Sequence, residues 1–227
     1  PLYAPCASCH GSEGEGNQKL GAPRLAGQHD WYIKRQLSNW RSGIRGTHSE
    51  DVYGMQMRPM AMTLANDAAL NKVVKFIGTL SGAPLKTSIQ GNTGAGKSSY
   101  VTCIACHGAQ GEGNKALNAP KIAGLPDWYV VRQLNNFKNG IRGVHAKDIY
   151  GQQMRPMAMT LANDEAVRNV TAYLASLKGI STAKPVAVKA STVVTVVQTP
   201  VSEPLYAPCA SCHGSEGEGN QKLGAPR

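Results

Sequence analysis

Three times in 227 residues two cysteines stand three positions apart with a histidine directly after them: Cys6, Cys9 and His10; Cys103, Cys106 and His107; Cys209, Cys212 and His213. On one helical turn, two thiols at that spacing can form thioether bonds to the vinyl groups of a single haem, and the next residue offers its imidazole to the iron. Zinc is the usual alternative for a CxxC pair, but it needs four ligands from two matched half-sites and leaves the histidine without a task. A dithiol redox pair needs a preceding strand in a βαβ setting, and that context is missing here. All six cysteines belong to these motifs, so none remains for a disulfide framework.

The second axial position of the iron needs another ligand, and each motif is followed at a distance by a methionine-rich run. Met57-Arg58-Pro59-Met60-Ala61-Met62 follows the first and Met154-Arg155-Pro156-Met157-Ala158-Met159 the second. A thioether is a soft ligand that raises a haem potential. Methionine also fills gaps around a flat cofactor well, so the residues alone leave both uses open; one methionine per run is expected to bind and the others to pack. His48 and His145 occupy matching positions and are the rival ligands, although surface placement or a bond to a haem propionate is the commoner use of such residues. His29 has no counterpart, because Pro126 stands at the equivalent position. Trp31 with Tyr32, and Trp128 with Tyr129, are expected to wall the haem pockets. Arg45, Arg58, Arg142 and Arg155 are the candidates for pairing with propionates.

The elements that must position these groups occur twice. Sliding the chain by 97 positions aligns residues 1–80 with 98–177 without a gap, at about 44 identical positions. In each repeat a short CxxCH segment leads into a glycine-rich loop, Gly11 to Gly16 or Gly108 to Gly113. A helix capped by Asp30 or Asp127 is expected next, running to Gly43 or Gly140. An irregular stretch follows, and then a closing helix capped at Asn66-Asp67 or Asn163-Asp164, with Val73, Val74, Ile77 and Leu80 as the apolar stripe of the first copy. No convincing strand pattern appears, so the fold class is all-α. The expected organisation is a first domain over 1–80, a linker over 81–97, a second domain over 98–178, a linker over 179–203 and a partial third copy over 204–227. That last segment, Pro204 to Arg227, matches Pro1 to Arg24 at every residue.

Composition narrows the function classes. The net charge of +10 is spread along the chain without a dense basic run, which disfavours nucleic acid and suits acidic protein partners or anionic surfaces. No stretch approaches the roughly 18 apolar residues of a membrane span; the nearest, Pro185 to Val201, contains Lys189 and several Ser and Thr. Gly91 to Ser98 reads GNTGAGKS and satisfies the phosphate-binding pattern GxxxxGK[ST]. That mechanism requires a buried strand before the loop, whereas Leu85 to Gln90 reads as polar linker, so nucleotide binding is rejected.

The pattern CASCHGSEGEGN, APRLAGQ, WYIKRQL and MRPMAMTLAND, repeated as CIACHGAQGEGN, APKIAGL, WYVVRQL and the same methionine segment, resembles the class I cytochromes c. More closely it resembles the dihaem cytochromes of the c-four type, two such domains in tandem. The resemblance covers each repeat nearly end to end and implies a small helical fold wrapped around one covalent haem c per domain. In that family the iron-binding methionine lies seven residues before the leucine that precedes the closing helix. Counting back from Leu64 and Leu161 gives Met57 and Met154. The implied ligand sets are therefore His10 with Met57 and His107 with Met154, with thioethers at Cys6, Cys9, Cys103 and Cys106. Cys209, Cys212 and His213 would hold a third haem if another unit completed it. The implied function is electron transfer to redox protein partners, with no catalytic residue and a periplasmic or extracellular setting. A dihaem peroxidase, which needs an open iron position, is the enzymatic alternative. A repeating array or filament of further copies is the structural one.

Overall fold

The computed structural model describes residues 2–82 and 86–177. The linker 179–203 and the partial third copy 204–227, with Cys209, Cys212 and His213, lie outside the described residues. Those residues contain eight helices and no strand: α1 (Ala4–His10), α2 (Asp30–Arg41), α3 (Val52–Met62), α4 (Asp67–Ile77), α5 (Thr93–His107), α6 (Asp127–Lys138), α7 (Ile149–Met159) and α8 (Asp164–Ser176). The first four make one repeat and the last four the other, around two separate apolar cores. Tyr3, Ile33, Leu37, Leu64, Leu70, Val73, Val74 and Ile77 build the first. Tyr100, Val130, Leu161, Val167, Val170 and Leu174 build the second.

Local chemistry explains most boundaries. Pro5, in the first turn of α1, loses no helical hydrogen bond there, and α1 ends where Gly11 turns to φ 80°. The same turn at Gly108 ends α5. Asn66 and Asn163 cap the closing helices by accepting from the backbone N–H of Ala69 and Ala166, both at 2.9 Å. Asp30 and Asp127, in contrast, are the first residues of α2 and α6 rather than their caps; His29 and Pro126 hold the cap positions. Their carboxylates still sit where the helix dipole favours negative charge.

The stretch before each closing helix is not irregular. Met57 to Met62 and Met154 to Met159 lie on α3 and α7, each started by an aspartate, Asp51 or Asp148, that accepts from the N–H three residues on at 3.0 and 3.1 Å. Pro59 and Pro156 stand inside these helices and remove one backbone bond each, which is why the sequence reads as broken there.

Helix α5 begins at Thr93, inside the segment expected as linker, so Lys97 and the four residues before it are helical. Asn92 caps it by accepting from Ala95 N–H at 3.0 Å. The glycines of the phosphate-like motif serve this packing: a Cβ at Gly96 would lie 2.0 Å from the Asn169 carbonyl oxygen on α8, and one at Gly91 2.7 Å from that of Arg168. Gly96→Ala is expected to cost about 1–3 kcal/mol in denaturant unfolding, since backbone on both sides must shift. A cost below about 0.5 kcal/mol would show that the two helices have room to part.

Candidate functional site

The CxxCH histidines are the most constrained polar side chains of each repeat. His10 is 5% exposed, as is His107. The Nδ1 of His10 meets the Pro23 carbonyl at 2.7 Å, and that of His107 meets the Pro120 carbonyl at the same distance. A carbonyl can only accept, so Nδ1 carries the proton in both rings and Nε2 is left with its lone pair free. Burial pushes both imidazoles below their ordinary range, which keeps them neutral and ready to ligate.

The glycine-rich loop exists to bring that carbonyl to the ring. Gly16 N–H donates to the His10 carbonyl at 2.8 Å, and a Cβ on Gly16, at φ 87°, would lie 2.8 Å from the Pro23 carbonyl carbon. Gly113 repeats this against Pro120. A tyrosine closes the other end: Tyr3 Oη donates to the Gly11 carbonyl at 2.8 Å, and Tyr100 Oη to that of Gly108 at 2.7 Å. Burial pushes the Tyr3 phenol up to about 12, so it remains a donor.

One thiol of each repeat packs against its core, and so does Met57 in the first, whereas Met154 is not among the residues packed on the second. Cys6, Ala7, Leu25, Trp40, Met57 and Leu80 are half-buried and pack against the first apolar cluster, so residues from α1, α2 and α3 each turn one side to it. Cys103, Ile122, Leu125 and Leu134 do so in the second. Cys9 and Cys106 are exposed, and burial pushes the thiols of Cys6 and Cys103 up. Met154, like Met57, is half-buried, and so are Met60 and Met157, while Met62 and Met159 are exposed. Among the described residues no three His, Cys, Asp or Glu side chains cluster as a metal site, so Cys6/Cys9 and Cys103/Cys106 do not meet as zinc half-sites.

A second group of polar residues lies where the repeats touch. Arg45, 6% exposed, donates through Nη1 to Gln36 Oε1 at 2.7 Å and through Nη2 to Gln133 Oε1 at 3.0 Å. Arg142, 8% exposed, mirrors it onto Gln133 at 2.7 Å and Gln36 at 3.0 Å. Burial and the neighbouring Arg142 charge push Arg45 below its ordinary value. The pair lines a cleft of about 220 Å³ together with His48 and His145, whose Nδ1 atoms accept from nearby backbone N–H groups. Five buried nitrogen donors are left without an acceptor, the Nε of Arg45, Arg132, Arg142 and Arg155 and the indole N–H of Trp40, and the Thr171 hydroxyl is also without a partner. An excess of buried donors fits a haem, whose two propionates supply acceptor oxygens.

The paired aromatics belong to this contact and not to the two cores. Tyr32 Oη accepts from Arg142 Nη2 at 3.3 Å, and the Arg35 guanidinium sits 5.2 Å from the Trp31 ring centre, 5.4 Å from that of Tyr32 and 4.4 Å from that of Tyr150. Arg132 repeats the arrangement over Tyr53, Trp128 and Tyr129. His29 and Gln28 gain roles that no repeat comparison could show, because both are unique to the first copy. The His29 Nε2 meets the Glu112 carbonyl at 2.9 Å and Gln28 Nε2 donates to the Lys121 carbonyl at 2.9 Å, two struts onto the loop after His107.

Comparison with known proteins agrees with this architecture. The cytochrome c family model matches residues 2–81 and again 94–178. A cytochrome c4 from Thiocapsa roseopersicina is 32% identical over 180 residues, covering 76% of this chain and 86% of its own. The thiosulfate dehydrogenase electron acceptor of Stutzerimonas stutzeri is 29% identical over 187 residues, 78% of this chain and 81% of that one. The reduced cytochrome c4 of Pseudomonas stutzeri superposes with a TM-score of 0.61 at 25% identity, covering 77% and 94% of the two chains. With two copies of one helical domain, each presenting a locked histidine beside a cysteine pair, the chain belongs to the cytochrome c family as an electron-transfer dihaem cytochrome of the c4 type.

Proposed function

We propose that Cys6, Cys9, His10 and Met57 hold one haem c and Cys103, Cys106, His107 and Met154 a second, and that the chain relays electrons through them to redox proteins without turning over a substrate. The observation that carries this reading is the histidine arrangement: buried, with Nδ1 fixed at 2.7 Å from a carbonyl and Nε2 free, in both repeats. When bound, the haem supplies a one-electron iron couple. The chain's own residues do the rest. His10 and His107 are pre-oriented, so ligation costs no rotamer search. Met57 packs on the same core as Cys6 and would supply a soft sulfur ligand. Arg45 and Arg142 offer their orphan donors to the propionates. With a histidine and a methionine both bound, no iron position would be left open for peroxide.

The working domains are residues 1–80 and 98–178, joined by 81–97, whose last five residues start α5. Known relatives include an electron acceptor of thiosulfate dehydrogenase and a cbb3-type oxidase subunit, which supports protein donors and acceptors as partners here. Covalent haem c is attached outside the cytoplasmic membrane in this family, so a periplasmic or extracellular location follows; no helix among the described residues is long and apolar enough to cross a membrane. The identity of Pro204–Arg227 with Pro1–Arg24 supports a repeat of 203 residues, in which Cys209, Cys212 and His213 begin a third haem site completed by residues like 25–80.

Mass spectrometry of the native chain tests the assignment. Cys6→Ser/Cys9→Ser is expected to remove one covalent haem and leave the second-repeat haem in place. Loss of no haem, or of all, overturns the two-site reading. The wild type is expected to show no turnover of peroxide.

A further inference from the structure

The two repeats are related by an approximate exchange symmetry, and one cleft breaks it. On one side of the contact between repeats, α2 of the first meets the loop after His107 of the second. Arg35 donates to the Asn118 carbonyl at 2.8 Å and to its Oδ1 at 3.1 Å, fixing the two walls. Between them lies an open cleft of about 330 Å³ lined by Trp31, Lys34, Arg35, Ser38, Lys115 and Asn118. Its floor is aromatic: the Trp31 ring lies stacked on His29 at 5.5 Å, with the Arg35 guanidinium 5.2 Å from its centre. Lys34 and Lys115 are both exposed and neither ammonium is hydrogen-bonded among the described residues, although the Lys34 charge also reaches the Asp67 carboxylate, which is bonded to Arg41.

The equivalent positions on the other side are Trp128, Val131, Arg132, Asn135, Gln18 and Gly21. There Arg132 donates to the Gly21 carbonyl at 2.6 Å and so repeats the structural job of Arg35. Lys34, however, is replaced there by Val131, and Lys115 by Gln18, with the exposed Lys19 one residue further on. The wall-joining arginine is thus a property of the fold, and a lysine on α2 facing one on the opposite loop is found on one side only, because Val131 stands where Lys34 does. Two exposed ammonium groups beside an aromatic floor attract carboxylates, and their attraction acts at range in a +10 chain.

We propose that this cleft is the docking point for an acidic protein partner, whose carboxylate side chains seat between Lys34 and Lys115 against Trp31. The proposal rests on the electron-transfer reading and adds to it a single, one-sided entry point. A partner seated there touches α2 of the first repeat and the loop that follows His107 of the second, so it meets the chain in one orientation although the two repeats are alike.

Voltammetry of the holoprotein at gold bearing a carboxylate-terminated monolayer, at low ionic strength, tests it. Lys34→Gln/Lys115→Gln is expected to slow interfacial electron transfer by about threefold or more and to flatten its dependence on salt. Lys72→Gln/Lys75→Gln, an equal charge loss at two exposed positions of α4, is expected to change the rate far less. Equal slowing by the two pairs overturns the cleft and leaves only net charge. A concentration-dependent dimer of the wild type that the cleft variant abolishes assigns the site to a second copy and also overturns it. A neutral, hydroxyl-terminated monolayer separates the two readings: if haem signals are absent there as well, electron transfer itself has failed and not the docking.

Discussion

Met57→Ala is expected to erase the sulfur-to-iron absorption of one haem and to lower one of two reduction potentials by on the order of hundreds of millivolts, within the roughly 0.8 V that axial ligands span. A thioether accepts electron density from iron and favours its reduced state, so losing it favours the oxidised state. Met154→Ala is expected to do the same to the other potential and leave the first unchanged, because the two cores share no residue. Potentiometric titration with optical detection reads both at once. Met60→Ala serves as the decisive comparison: it lies three residues on along α3 and is also half-buried, but Met57 is the methionine packed on the core with Cys6. If Met60→Ala erases the signature and Met57→Ala does not, the ligand is Met60.

The sequence declares these attachment points for a physical reason. Covalent attachment demands fixed residue types at fixed spacing, and the exact tandem alignment of Met57 with Met154 marks the segment that must recur. The caps at Asn66 and Asn163 were equally legible, since one side chain and one N–H three residues on decide them. The helices α3 and α7 were hidden because an internal proline reads as a break, and only their tertiary setting shows that the helix continues past it. The jobs of Trp31, Tyr32 and Gln36 could not be read for a different reason. They depend on how the second copy meets the first, and a repeat comparison says that two units exist without saying which faces touch. His29 illustrates the same limit: a residue present in one copy looks dispensable until the strut it makes to Glu112 is seen.

That contact between repeats gives the second large effect. Each of Gln36 and Gln133 accepts from both Arg45 and Arg142, so two amide oxygens satisfy four guanidinium bonds between 2.7 and 3.0 Å. Gln36→Leu/Gln133→Leu keeps the size of the side chains but removes all four amide bonds, leaving two buried cations facing each other with only the Tyr32 hydroxyl and the haem propionates to accept from them. Bonds to charged groups are worth about 1.5–3 kcal/mol each, and stranding a buried charge costs more than the bond returned, so a total loss of roughly 3–6 kcal/mol is expected. The cores themselves are untouched. The loss should therefore appear as uncoupling, with calorimetry of the holoprotein changing from one transition to two as each repeat melts alone. Gln36→Glu discriminates a charge-driven contact from simple packing. A carboxylate at that position keeps the acceptor and neutralises one of two adjacent cations, so coupling should survive in Gln36→Glu where Gln36→Leu loses it. If Gln36→Glu uncouples the repeats as fully as Gln36→Leu, the shape of the amide and not the charge of its partners holds them together.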